Sequence, residues 1–286
     1  MKRGIYLLFV LGLILSFSVS CSGNTKRPTA SPVEVQPTIA QIVTEVISIA
    51  SSTPDATVAS SPTQAVTLFT ESGGSYQINL TPADFVDVID NPYFPLPPAV
   101  KWEYEITEGN GNKQTDTLEV LKETRNVNGV QATVVRDTVR SGGQIVEDTF
   151  DWFAQDKYGN VWYIGEAVDN YVGGVLAGHG GSWEWGVDGA LPGIIMWSDP
   201  SAHVNEEYHQ EYYIGKAEDM GKVLSAKESV TVPFKAFDQV VKTLDFSNIE
   251  AGQEQKFYAP GIGLIQELDL NTNEQMVLIS TTLPAK

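Results

Sequence analysis

From residue 101 to the end of the chain, apolar and polar side chains alternate in short runs that break at turn residues. KWEYEIT (101–107) stops at Gly-Asn-Gly-Asn, and TDTLEVLKETRNV stops at Asn128-Gly129, a dipeptide suited to a two-residue hairpin turn. VQATVVRDTVR runs to Ser141-Gly142-Gly143, QIVEDTFDWFAQ runs to Asp156-Lys157-Tyr158-Gly159-Asn160, and VWYIGEAV follows. These runs predict an antiparallel meander. Within QATVVRDT, Ala132 and Val134 share one face while Val135 and Asp137 share the other, so one face of the sheet is only partly apolar. Residues 169–205 are glycine-rich and irregular, and strand patterns resume in EEYHQEYYIG, VLSAKESVTV, AFDQVVKTLDF, EQKFYA, LIQELDL and EQMVLIST. The pattern predicts roughly eleven or twelve strands. A twisted sheet of that size curls into a barrel or half-barrel, or splits into a sandwich. The expected fold class is mainly β: a large curved antiparallel sheet, barrel-like or a half-barrel, with one or two short helices. The first helix is expected in TPADFVDVID, where Thr81 suits an N-cap, Pro82 the first helical position and Asp84 the first turn. Asn91-Pro92 ends it, PYFPLPP reads as an extended segment, and AEDM (217–220) carries the second helix-like pattern.

The first residues follow a different pattern. Met1, Lys2 and Arg3 precede the apolar run IYLLFVLGLILSFSV (5–19), which is short for a membrane span of roughly 20 residues. It fits a secretory signal peptide. Ser18-Val19-Ser20-Cys21 resembles the lipobox of bacterial lipoproteins, with Ser18 where leucine is commonest. The resemblance implies that Cys21, the single cysteine, becomes the lipidated first residue of the mature chain. Residues 1–20 are then the lipoprotein signal peptide, and residues 21–75, rich in Ser, Thr and Pro, a disordered tether. Residues 39–50 place Ile39, Ile42, Val43, Val46 and Ile49 at helical spacing within that tether. Residues 76–286 form the expected compact β domain. The expected location is extracytoplasmic, anchored by lipid to the cell membrane or the outer membrane.

Charge narrows the partners. The formal net charge of −18 disfavours nucleic acid and anionic headgroups. Membrane attachment is therefore assigned to the N-terminal lipid, and no nucleic-acid partner is expected. The partners that remain are an apolar small molecule, a sugar or an envelope protein.

Several chemistries lack their residues. His179-Gly180-Gly181 has the composition of an esterase oxyanion loop, but no G-x-S-x-G elbow occurs in the chain. The three histidines, His179, His203 and His209, form no H-E-x-x-H, and no metal or cofactor is expected. In YHQEY, His209 and Glu211 would share one face of a strand, with His203 folding back beside them. Carboxylate pairs such as Asp148 with Asp151, or Glu184 with Asp188, have the composition of a glycosidase site. In an acidic chain such pairs carry little information. Phosphate-binding loops are absent from the sequence.

The most suggestive stretch is GSWEWGVDGALPGIIMW (181–197). In an extended chain Trp183 and Trp185 share a face opposite Glu184, which suits core packing or stacking on a sugar or apolar ligand. Candidate ligand-binding residues are Trp183, Glu184, Trp185, Asp188 and Met196, with His209 and Glu211 as polar lining. The expected function is a non-enzymatic β-rich binding domain for a ligand or envelope partner. The alternative is an extracytoplasmic hydrolase using Glu184 and Asp188.

NPYFPLPP with Trp102, DTFDWFAQDKYGNVWYIGE, GSWEWGVDGALPGIIM, EYHQEYYIGKAEDM and FYAPGIGLIQE together resemble the recurring motifs of a family of secreted bacterial proteins and lipoproteins without an assigned activity. That resemblance spans residues 90–270 and implies no catalytic mechanism. FYAPGIGLIQE is also similar to the closing hairpin of envelope lipoproteins built on curved antiparallel sheets, which implies a half-barrel holding apolar ligands or partner proteins.

Overall fold

The computed structural model describes residues 67–72 and 75–284. The expected signal peptide, Cys21 and the tether as far as residue 66 lie outside the described residues. Strand structure begins upstream of residue 76, in what composition alone reads as tether. Strand β1 (Phe69–Ser72) pairs with β2 (Ser75–Ile78) as a separate antiparallel hairpin. Its aromatic residues explain the order. Phe69 meets Tyr76 and Trp197, and the buried Tyr76 hydroxyl donates to the Pro192 carbonyl at 3.0 Å.

The helix expected from Thr81 forms only its first turn. The Thr81 backbone N–H donates to Asp84 Oδ2 at 2.8 Å, and Pro82–Asp84 make a single 3₁₀ turn. Phe85 then leaves it as the edge strand β3 (Phe85–Val86), pairing with Asp156 and Gln155. Pairing with an existing sheet, and the fit of Phe85 against Trp162 and Trp185, outweigh local helix propensity. The second 3₁₀ turn is Pro200–His203. AEDM is not helical: Asp219 and Met220 open a long strand, where Met220 pairs with His209 and Phe246.

The meander is as the alternation predicts. Strands β4 (Lys101–Thr107), β5 (Lys113–Val127), β6 (Val130–Ser141), β7 (Gln144–Asp156) and β8 (Val161–Val172) pair in succession. Asn128 and Gly129, with φ of 47° and 87°, make the tight turn between β5 and β6. The glycine-rich middle supplies β9 (Val175–Gly178), β10 (Trp183–Glu184) and β11 (Leu191–Met196), all of which pair with the same strand, β8. Then come β12 (Glu207–His209), β13 (Glu211–Tyr212), β14 (Asp219–Thr231), β15 (Ala236–Ser247), β16 (Gln253–Ala259), β17 (Gly263–Asp269) and β18 (Gln275–Thr281).

The last strand, β18, pairs with β4, so the two meanders join into one sheet. Its path runs β12-β14-β15-β16-β17-β18-β4-β5-β6-β7-β8-β11-β13. The two ends, β12 and β13, are consecutive in the chain and separated by Gln210 alone. The sheet is therefore a nearly closed antiparallel barrel, the barrel-like member of the expected fold class. Gly193 makes the seam possible: a Cβ there would lie 2.2 Å from the His209 carbonyl oxygen.

Phe94 of the proline-rich segment packs against both Phe153 on β7 and Tyr258 on β16, at 5.2 and 6.2 Å. Those strands lie far apart along the sheet, so Phe94 plugs one end of the barrel. Asn91 fixes the plug by donating to the carbonyls of Gly159 and Trp197. The outer face is apolar too where Phe85, Trp162 and Trp185 pack together. Among the described residues no helix is long and apolar enough to cross a membrane.

Candidate functional site

The inner face of the barrel can be read from the register. Tyr104 stands opposite Asp116, Leu118 opposite Asp137, and Asp151 between Val135 and Glu166. Across the barrel, Asp245 stands opposite Glu254, and Lys256 between Thr243 and Glu267. Glu211 adds a carboxylate from the seam. All eight of these carboxylates (Asp116, Asp137, Asp151, Glu166, Glu211, Asp245, Glu254 and Glu267) are buried. Lys256 is the one buried lysine or arginine among the described residues. Taking carboxylates out of water costs free energy even when they are paired or hydrogen-bonded, so this lining is not an ordinary core.

One side of the lining is organised around Lys256. Its Nζ lies 3.2 Å from Asp245, 3.6 Å from Glu254 and 3.9 Å from Glu267. Burial alone would depress this ammonium, but the summed charges of Asp245, Glu267 and Glu254 outweigh burial and hold it well above the usual lysine value. Asp245 also accepts from Gln210 Nε2 at 3.1 Å and from the Thr243 hydroxyl at 2.7 Å.

The other side is built on β7, β8 and β10. The Tyr163 hydroxyl donates to Asp151 Oδ1 at 2.6 Å. Tyr163 stacks on Phe153 with centroids 5.0 Å apart, and Trp183 meets it edge-on at 5.5 Å. Burial, chiefly, with the nearby charge of Asp137, pushes the Asp151 carboxyl up to about 7, against the pull of the Tyr163 hydrogen bond and the Lys256 charge. Burial, together with the charges of Asp151, Glu166 and Glu211, holds the Tyr163 phenol well above its ordinary value. Three buried polar atoms here have no hydrogen-bond partner among the described residues: Asp151 Oδ2, Thr149 Oγ1 and Trp183 Nε1.

Gly165 seats β10 on β8. Its φ is 145°, and a Cβ there would lie 2.7 Å from the Trp152 ring and 2.8 Å from the Trp183 carbonyl oxygen. Trp183 stands opposite Glu166, facing inward, while Glu184 stands opposite Gly165, facing outward. There Glu184 accepts from Arg125 at 2.7 Å, and Arg125 lies over Trp152. Trp183 and Trp185 therefore do not share a face: Trp185 packs against Phe85 on the outside. β10 ends after two residues, and the alternation that would align the indoles ends with it. Asp188 sits on an exposed turn at φ 52°, 3.4 Å from the Tyr213 hydroxyl. Met196 is buried in the apolar core.

The seam separates His209 from Glu211. The strand expected through EEYHQEYYIG bends at Gln210, whose N–H donates to the Asp219 carbonyl. His209 packs against Tyr76 and Tyr212, with Nε2 3.5 Å from Glu71. Burial holds this imidazole below its ordinary value, with the Glu71 charge opposing. Glu211 acts instead on Tyr163. His203 stacks on Trp197 and pairs with Glu206, and His179 pairs with Asp169, so the three histidines do not converge. Asp148 and Asp151 point to opposite faces of β7: Asp148 pairs with Arg136 while Asp151 faces inward. The DKYGN turn is held by Asp156, which accepts from two backbone N–H groups, Asn160 Nδ2 and Trp162 Nε1. Among the described residues no three His, Cys, Asp or Glu side chains are placed to hold a metal ion.

Of the acidic lining, Glu211 is among the candidate ligand-binding residues read from the sequence, and the other seven carboxylates are not. Their signal was present in the alternation that puts Asp137 on the face of Val135, repeated in TDTLEV, EDTFDWF, EQKFYA and LIQELDL.

No protein-family model matches the chain, and no curated protein sequence does. Two solved structures are similar in outline. One is from Bacteroides fragilis and is described as an exported protein with a YmcC-like fold; it is 14% identical, with a TM-score of 0.40, covering 66% of this chain and 98% of its own. The other, from Parabacteroides distasonis, is described as a lipoprotein; it is 14% identical, with a TM-score of 0.38, covering 67% of this chain and 99% of its own.

Proposed function

We propose that this chain is a lipid-anchored extracytoplasmic protein whose barrel is a non-enzymatic binding domain, holding its ligand in the acidic lumen. The address rests on the basic start, the short apolar run and Ser18-Val19-Ser20-Cys21. The binding role rests on one observation: eight buried carboxylates line the barrel, with one buried ammonium among the described residues. A barrel serving only as a spacer gains nothing from such a lining, because well-packed apolar residues would be at least as stable. The hydrolase alternative requires Glu184 and Asp188 to act together, and Glu184 is committed to Arg125 on the outer face.

Fractionation tests the address. The wild-type chain is expected in the membrane fraction with acyl label, and Cys21→Ser in the soluble fraction without it; an unlabelled, soluble wild-type chain would contradict the anchor. Crystals of the full chain purified without ligand exchange test the lumen. Density other than water beside Asp151 is expected, and a lumen holding water alone would contradict the binding role.

A further inference from the structure

We propose that Asp151, Thr149, Tyr163 and Trp183 form a subsite for an organic ammonium group that carries an oxygen acceptor close by, as amino sugars and amino alcohols do. The inference deepens the binding role proposed above and rests on it. Three features converge. Asp151 supplies charge, and Glu166 stands directly opposite it on β8. Phe153, Tyr163 and Trp183 supply aromatic surface around the same point, and carboxylates beside aromatic faces favour organic cations. The free polar atoms then specify the ligand's hydrogen bonds. Asp151 Oδ2 and Thr149 Oγ1 lack partners among the described residues and face inward two positions apart on β7, suited to accept from an ammonium. Trp183 Nε1 is a buried donor also without a partner, and an indole N–H can only donate, so it requires an oxygen on the ligand. Buried polar groups in native proteins are nearly always satisfied, which makes three open atoms on the inner faces of β7 and the neighbouring β10 a mark of something bound.

Other ligand classes fit less well. An anion would meet like charge. A metal ion has no converging set of side chains among the described residues. A purely apolar molecule would leave Asp151 Oδ2 and the indole N–H without partners among the described residues.

The test uses the full chain and matched probes: glucosamine against glucose, and ethanolamine against ethylene glycol, in titration calorimetry with tryptophan fluorescence in parallel. Glucosamine and ethanolamine are expected to bind at least tenfold more tightly than their uncharged counterparts. Asp151→Asn, which keeps the shape and removes a buried charge, is expected to erase that preference while the variant stays folded. Trp183→Phe keeps an aromatic ring but loses the N–H, and is expected to weaken glucosamine while leaving methylamine, which has no oxygen, unchanged. Equal binding of the charged and neutral probes, or an unaltered preference in Asp151→Asn, would overturn the subsite. If the lumen instead yields a bound molecule without an ammonium, the subsite fails and the binding role stands. If no probe binds and crystals show water alone, both fail.

Discussion

The two sides of the barrel handle buried acid differently. Around β16 the chain provides its own counter-charge: Lys256 reaches Asp245, Glu254 and Glu267, and Gln210 and Thr243 satisfy Asp245 further. Around β7 and β8 Asp151 accepts from the Tyr163 hydroxyl and feels the charge of Lys256, and its second oxygen has no hydrogen-bond partner among the described residues. The comparison sets charge that the chain neutralises itself, the closed side, against charge that the proposed ligand would neutralise, the open side.

The largest expected effect breaks the closed side. Lys256→Met strips the counter-charge from three buried carboxylates, and removing one partner of a buried ionic cluster costs about 3–5 kcal/mol. Urea unfolding at pH 7 measures it. Adding Asp245→Asn is expected to restore part of the loss, since one of the stranded charges is gone.

On the open side the sign reverses. The Asp151 carboxyl sits at about 7 in the folded chain. In the unfolded chain it titrates near its ordinary value of about 3.9, so the unfolded state releases its proton first as pH rises. Between about pH 4 and pH 7 the folded state binds more protons, so this group's contribution to stability falls with rising pH and levels off above about 7. Asp151→Asn in ligand-free protein is therefore expected to flatten that decline and to be more stable at pH 8. The gain has a ceiling of roughly 4 kcal/mol, at about 1.36 kcal/mol per tenfold change in proton activity. Thermal melts of both proteins at pH 4 and pH 8 measure it; an equal decline in both would contradict the assignment.

The smallest effect is a control outside the barrel. Arg125→Ala removes the partner of Glu184, but Arg125 is 46% exposed, and such pairs contribute about 0.2–1 kcal/mol. Ammonium preference should be unchanged, because Glu184 faces away from the lumen.

Much of this fold was legible in the sequence because hairpins write local signals. Asn128-Gly129 and the alternation from residue 101 placed the meander and the curved sheet. The same alternation showed Asp137 sharing a face with Val135. Closure was not legible, because pairing β18 with β4 and meeting at Gln210 depend on contacts distant in the chain. The helix at Thr81 was overridden after one turn by pairing with β7. The candidate site was read from the tryptophan-rich stretch, and Trp183 does face the lumen. Its neighbours Glu184, Trp185 and Asp188 do not, because a two-residue strand cannot sustain the period that would align them. Asp151 was visible only as half of an arbitrary carboxylate pair. Without a register, nothing marked it off from the other acids.

The most direct test is a native mass spectrum of the full chain purified without ligand exchange, taken before and after denaturation, for wild type and Asp151→Asn. An added mass on the wild-type chain that is lost on unfolding and missing from Asp151→Asn is the expected result. A bare chain in both, or the same added mass on both, would contradict a lumen that keeps Asp151 open for its ligand.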